Sequence, residues 1–292
     1  MRLPRVLLLV SAATGAFAVL ATLFSETRAA LQSSLVAAVA FLGYVLLAGP
    51  APGVRRALAA GIGLFAAVMA LKLWWLPEPP ADAGWLIPFY APLDGGAPVD
   101  LHLPARLDHL RQTIEQDRIA AVGLLLGVLC LAVAVLALPV QHRPRRTLLA
   151  RVVAVLLLVV VAVDVGDRVN DAPLLGAFGV GWSALLATLA AAGMLAAAGR
   201  RSDRFVLVPL GALLIAGTAA ADFAGIISAW SSWWSLTDAS RDAFLSVGVA
   251  GSVGGWTDVS AAVQVAMALA GPTLLALGAL HASRDTSAAD RQ

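Results

Sequence analysis

Residues 148–165 read LLARVVAVLLLVVVAVDV. Between Arg151 and Asp164 every residue is Val, Leu or Ala. A strand of a globular protein uses about five or six such residues. This run approaches the roughly 20 that a helix needs to cross about 30 Å of hydrocarbon. Its two ends differ in charge. Arg143, Arg145 and Arg146 precede it, while Asp167, Arg168 and Asp171 follow it. An apolar rod with a purely basic end and a mixed end reads as a membrane-spanning helix whose basic end is cytoplasmic.

Working outward, seven more stretches have the same character: Val6 to Phe24, Leu31 to Gly49, Ala57 to Leu76, Ile119 to Val140, Leu174 to Ala198, Phe205 to Ala229 and Val259 to Leu280. Their alternation agrees with the first. Arg2 and Arg5, Arg55 and Arg56, Arg143 to Arg151, Arg200 to Arg204, and Arg284 and Arg291 fall on one side. The other side carries Arg28, Arg106, Arg111, Arg118, Arg168 and Arg241, together with most of the acids. The positive-inside rule then gives eight spans with both termini cytoplasmic. A cleaved signal peptide ending at Ala16-Phe17-Ala18 is the competing reading of the first stretch. The apolar run continues to Phe24, which favours a retained span.

The bulk numbers agree. The chain of 292 residues is 60% hydrophobic and only 13% charged, where a soluble domain carries about 25% charged residues. Lipid must therefore be the solvent for much of the surface. Nineteen arginines and one lysine, with a net charge of +2, do not form a basic stripe, so no nucleic-acid partner is expected. The arginine-over-lysine bias with abundant alanine fits a high-GC bacterial chain, and hence a plasma membrane. Cys130 is the sole cysteine, which excludes an intrachain disulfide and any multi-cysteine metal site.

The order of spans and loops repeats. Long external connections, Pro77 to Arg118 and Trp230 to Asp258, follow the third and seventh spans, each beside a Trp-Trp pair. Leu136 to Thr147 aligns without gaps to Leu275 to Thr286, with His142 on His281, Arg145 on Arg284 and Thr147 on Thr286. The expected fold is an all-α polytopic membrane protein of two tandem four-helix units, 1–144 and 145–292. They are parallel repeats about the membrane normal, each with an external cap (77–118 and 230–258) before its last helix. Small residues predict the close helix contacts: Gly176, Gly179 and Gly181 with Ser183, Ala187 and Ala191 in the sixth span, and Gly63 with Ala67 in the third. Pro209 and Pro272 predict kinks in the seventh and eighth.

The external segments are aromatic. Trp74, Trp75, Trp85, Phe89, Tyr90, Trp230, Trp233, Trp234 and Trp256 predict an interfacial surface for lipid or an envelope protein. The first segment is dense in proline up to Pro104, from which a helix is expected to run into the fourth span. A short helix around Asp238 to Val247 is expected in the second.

Charges inside a bilayer are costly and mark candidate sites. Lys72, Asp164, Asp167, Arg168 and Asp222 lie in or beside spans, toward the external ends. Asp222 is the deepest, eight residues before Trp230, or about 12 Å along a helix. They predict a polar site with Asp222 binding a cation and Lys72 as counter-charge. Asp100, His102, His109 and Glu115 have only loose metal spacing, and no HExxH, Walker or nucleophile-elbow motif is present. Neither a metal, a cofactor nor a catalytic set is therefore expected. The leading functional expectation is a non-enzymatic scaffold or accessory subunit acting through its external loops. A small transporter or channel near Lys72, Asp164 and Asp222 is second. An outer-leaflet enzyme using Asp100 to Glu115 is third.

Overall fold

The computed structural model describes residues 3–48, 52–75, 103–140, 144–168, 174–201, 206–239 and 256–289. These form eight α-helices: α1 (Leu3–Leu23), α2 (Thr27–Ala48), α3 (Pro52–Trp75), α4 (Leu103–Leu136), α5 (Pro144–Arg168), α6 (Leu174–Ala198), α7 (Leu207–Ala239) and α8 (Trp256–Ala289). Each contains a stretch long and apolar enough to cross a membrane, and the described residues include no strand. The chain is a helical multi-pass membrane protein in architecture. Its surface agrees: Leu148, Leu149, Val152, Val155, Leu156, Val159, Val160 and Val163 form one exposed apolar face on α5. Water would not tolerate that face, whereas hydrocarbon requires it.

Helices extend beyond their apolar stretches. α4 runs unbroken from Leu103, so the helix expected at Pro104 does continue into the span. α7 continues ten residues past Ala229, carrying Trp230, Trp233 and Trp234 on helix. Ser232 fits this helix because its hydroxyl donates to Ser228 O at 2.8 Å. Of the second external segment, 240–255 lies outside the described residues, as does 76–102 of the first. Pro209 falls in the first turn of α7, where proline is tolerated, and among the described residues Pro272 alone lies in a helix interior. The aligned stretches 136–147 and 275–286 differ in conformation. α4 ends at Leu136, ahead of Pro139, whereas α8 passes through Leu275 to Ala289 without a break.

Two faces of the bundle can be told apart by their connections. The terminal face holds the start of α1 and the end of α8. The far face holds the α1–α2, α3–α4, α5–α6 and α7–α8 connections. Nearer the terminal face, one apolar core joins α2 through α8, centred on Leu58, Val128, Leu131, Val208 and Leu275. Nearer the far face, a smaller cluster of Ile114, Val165, Phe223, Ile227 and Trp230 joins only α4 through α7.

Backbone contact sets the registers. A Cβ on Gly211 of α7 would stand 2.6 Å from Gly271 O and 2.8 Å from Leu275 Cα of α8. On α3, a Cβ on Gly61 would stand 2.7 Å from Leu131 of α4 and 3.1 Å from Gly127 O. Gly61, rather than the expected Gly63, is the small residue at that contact, since Gly63 has only Leu42 at 3.9 Å. In α6 the expected face is buried: Ser183, Ala187 and Ala191 are at most 1% exposed. Thr188 beside them donates to both Ala184 O and Ala219 O, at 2.9 and 3.0 Å, and so ties α6 to α7.

Candidate functional site

α3 packs on α4 and α8, and α7 also packs on α4 and α8, yet α3 and α7 do not touch each other among the described residues. The gap between them is a cavity of about 350 Å³ in the half of the bundle nearer the far face, with Leu31 and Ser34 of α2 completing its wall. Register decides which polar groups reach it. On α3 and α4, Val68 meets Gly123; one turn further along α3, and between one and two turns back along α4, Lys72 meets Asp117. On α7 and α8, Gly211 meets Gly271 and Gly217 meets Met267. The same antiparallel run brings Gln264 level with Asp222. Lys72, Asp117, Thr218, Asp222 and Gln264 all line the cavity.

Their pairing is unequal. Lys72 Nζ lies 3.8 Å from Asp117 Oδ1, a loose ion pair, and the two side chains keep 40% and 36% of their surface exposed. The cavity is thus open on that side. Asp222 makes no hydrogen bond and no ion pair within 4.0 Å among the described residues. Lys72 and Asp117 are the charged groups that act on it through space. Thr218, one turn below, does not serve it, because its hydroxyl donates to Leu214 O at 2.9 Å. A carboxyl in a low-dielectric setting without a partner is costly. It is compensated only by a proton, a cation or ordered water.

The cavity has neighbours on both sides. Beyond Gln264, a recess lined by Ser228, Ser232 and Gly225 leads toward the far face. In the other direction, Phe65, Met69, Leu269 and Pro272 are shared with a second, apolar chamber of about 330 Å³ between α1, α2, α3 and α8. Pro272 has no N–H, so the carbonyl of Ala268, one turn earlier and also lining both chambers, loses its usual helical donor there.

The residues singled out from sequence separate in space. Lys72 and Asp222 come together on the cavity, but the acid paired with Lys72 is Asp117. Asp164, Asp167 and Arg168 belong to α5, which among the described residues packs on α6 and α7, and neither Asp164 nor Asp167 is among the described residues that line the cavity. Trp74 is 86% exposed, while Trp75, Trp233 and Trp234 are half-buried. Trp230 is buried inside the far-side core and stacks on Trp234 at 5.9 Å, so it sits within the bundle rather than on an aromatic outer surface. Trp256 opens α8. Trp85, Phe89, Tyr90, Asp100 and His102 lie outside the described residues. Glu115 is exposed on α4, and no three His, Cys, Asp or Glu side chains among the described residues converge on a metal position.

Asp117, Thr218 and Gln264 were not legible as site residues. Asp117 reads as one more external acid until the α3–α4 register is known. The glycines at 61, 123 and 127 held the signal, because close packing there fixes which turn of α4 faces Lys72. The chain matches no family model, no curated protein and no solved structure.

Proposed function

We propose that this protein is a small bacterial plasma-membrane transporter that binds a cationic solute at Asp222, with Asp117 assisting and Lys72 balancing the charge of the empty site. The observation that carries this reading is the carboxyl of Asp222, without a hydrogen-bond or ion-pair partner among the described residues, on an open cavity within the span region. With one lysine against two carboxylates, the fully ionised cluster is net negative by one charge, and such a site selects cations. The recess past Gln264, Ser228 and Ser232 supplies a polar approach from the far face.

Orientation follows from arginine. With Arg55, Arg56, Arg145, Arg146, Arg200 and Arg201 on the terminal face, that face is cytoplasmic and the cavity opens outward. We read the chain as two tandem four-helix units, with external caps at 77–118 and 230–258. The cavity then lies at their junction, with α3 and α4 from one unit and α7 and α8 from the other. The scaffold reading rests on aromatic segments of which Trp85, Phe89 and Tyr90 lie outside the described residues, and no further observation favours it.

The test is charge displacement in proteoliposomes on a solid-supported membrane, with tetramethylammonium chloride replacing sodium chloride. The wild type should give a saturable current, and Asp222→Asn should weaken apparent affinity by about tenfold, equivalent to roughly 1.4 kcal/mol. Asp164→Asn should respond like the wild type. Absence of any wild-type current, or an unchanged response in Asp222→Asn at equal protein, refutes the proposal.

A further inference from the structure

We infer that the ligand is a single amphiphile: an ammonium group held at Asp222 with an aliphatic chain lying in the adjoining apolar chamber. This rests on the cation-binding reading above and adds the ligand's class. A site for a small hydrophilic cation would end in polar walls. Here Asp222, Thr218 and Gln264 line the first chamber, and on the other side of Phe65 and Met69 lies a second one walled mostly by hydrocarbon, with Ser11 and Thr273 as its hydroxyl side chains. The two chambers share Phe65, Met69, Ala268, Leu269 and Pro272 as lining, so one layer of side chains, adaptable at Met69, separates them, and a chain that displaces it occupies both.

The geometry suits a chain. The apolar chamber runs along α1 from Leu8 to Val19, about 17 Å at 1.5 Å per residue. Small residues floor it: Gly15, Ala37, Ala38 and Ala270. Ala12 and Ala16, on the same stretch of α1, line the chamber and are exposed, so the chamber is open along α1. A tail can therefore enter sideways from the bilayer while its head reaches the charged chamber. Charge complementarity selects the head, because among the described residues Asp222 has no hydrogen-bond or ion-pair partner and Asp117 has a loose one. An anionic headgroup would meet two carboxylates, whereas an ammonium meets a net negative site.

The same current assay reads the tail. Apparent affinities are compared for trimethylammonium ions with n-alkyl chains from ethyl to octyl, below micelle formation, with the signal of protein-free liposomes subtracted. Wild-type affinity should rise by about fourfold per methylene, the transfer value for a buried CH₂, and then level off once the chamber is full. Gly15→Leu should flatten this rise while leaving the tetramethylammonium response intact. A Cβ there meets Leu269 at 3.7 Å and Ala37 at 3.9 Å, ordinary contacts, and Gly15 lines the chamber that a larger side chain would occupy. Gly15→Ala should keep the rise. Ala270→Leu gives the same test from the α8 wall if Gly15→Leu does not assemble. The inference is overturned by an equal rise in wild type and both filled variants, which places the chain in bulk lipid. It is also overturned by a flat wild-type series, as a resident acyl chain would give. A wild type silent to every cation, tetramethylammonium included, sinks the underlying reading instead.

Discussion

Gly211→Ala is the most demanding test of how the cavity is held open. The added Cβ would stand 2.6 Å from Gly271 O and nearer still to Leu275 N, against 3.4 Å for an ordinary contact, so α7 and α8 must part by more than about 0.8 Å. The opposing atoms are backbone (Gly271 O, Leu275 N and Leu275 Cα), and no rotamer change relieves the clash. Overpacking of this kind costs about 1–3 kcal/mol. Alanine's better helix propensity returns about 0.8–1 kcal/mol, leaving a net loss of roughly 0–2 kcal/mol. Gly225→Ala, on the same helix with nothing within 4 Å of its Cβ, isolates the propensity term and should stabilise by up to about 1 kcal/mol. The measured quantity is the difference between the two variants in reversible unfolding in mixed micelles, expected at about 1–3 kcal/mol. Since α7 and α8 carry Asp222 and Gln264, Gly211→Ala should also weaken the tetramethylammonium response. Equal stability of the two variants would refute the claim that backbone contact, rather than side-chain packing, joins these helices.

Three other outcomes follow from the same contacts. Thr188→Val keeps the volume but removes the donor to Ala219 O; interhelical bonds in membranes average about 0.6 kcal/mol, so unfolding should show a loss of that order, and no loss would deny the bond its role. Ser25 holds φ of 59° in the α1–α2 turn, where Glu26 N donates to Ala21 O as in a helix C-cap; Ser25→Gly should raise stability by about 1 kcal/mol in the same assay, and a decrease would count against the left-handed cap. Lys72→Met removes the positive charge beside Asp222 and should tighten tetramethylammonium binding several-fold, while Asp117→Asn should weaken it; the opposite order of the two would contradict the charge balance proposed for the site.

The sequence by itself determined the helices and the ends they share. Apolar runs of bilayer length leave backbone groups no partner but their own helix, and alternating arginine sorts the loops by side. Even the length of α4 was legible, because Pro104 and the amphipathic turn after it precede an apolar run with no breaker. The reach of α7 was not legible: Trp230 reads as an interface residue by its chemistry, and only the pocket opposite Gly176 and beside Trp234 buries it. The site was half legible. Lys72 and Asp222 stand out because charge in hydrocarbon is expensive wherever it occurs. Which acid meets Lys72, and that α5 carries Asp164 away from the others, depends on helix register and neighbour order. Those are settled by glycine-to-backbone contacts between segments far apart in the chain, and no local pattern encodes them. Tertiary structure alone left α3 and α7 out of contact among the described residues, and the opening between them is where the polar groups gather.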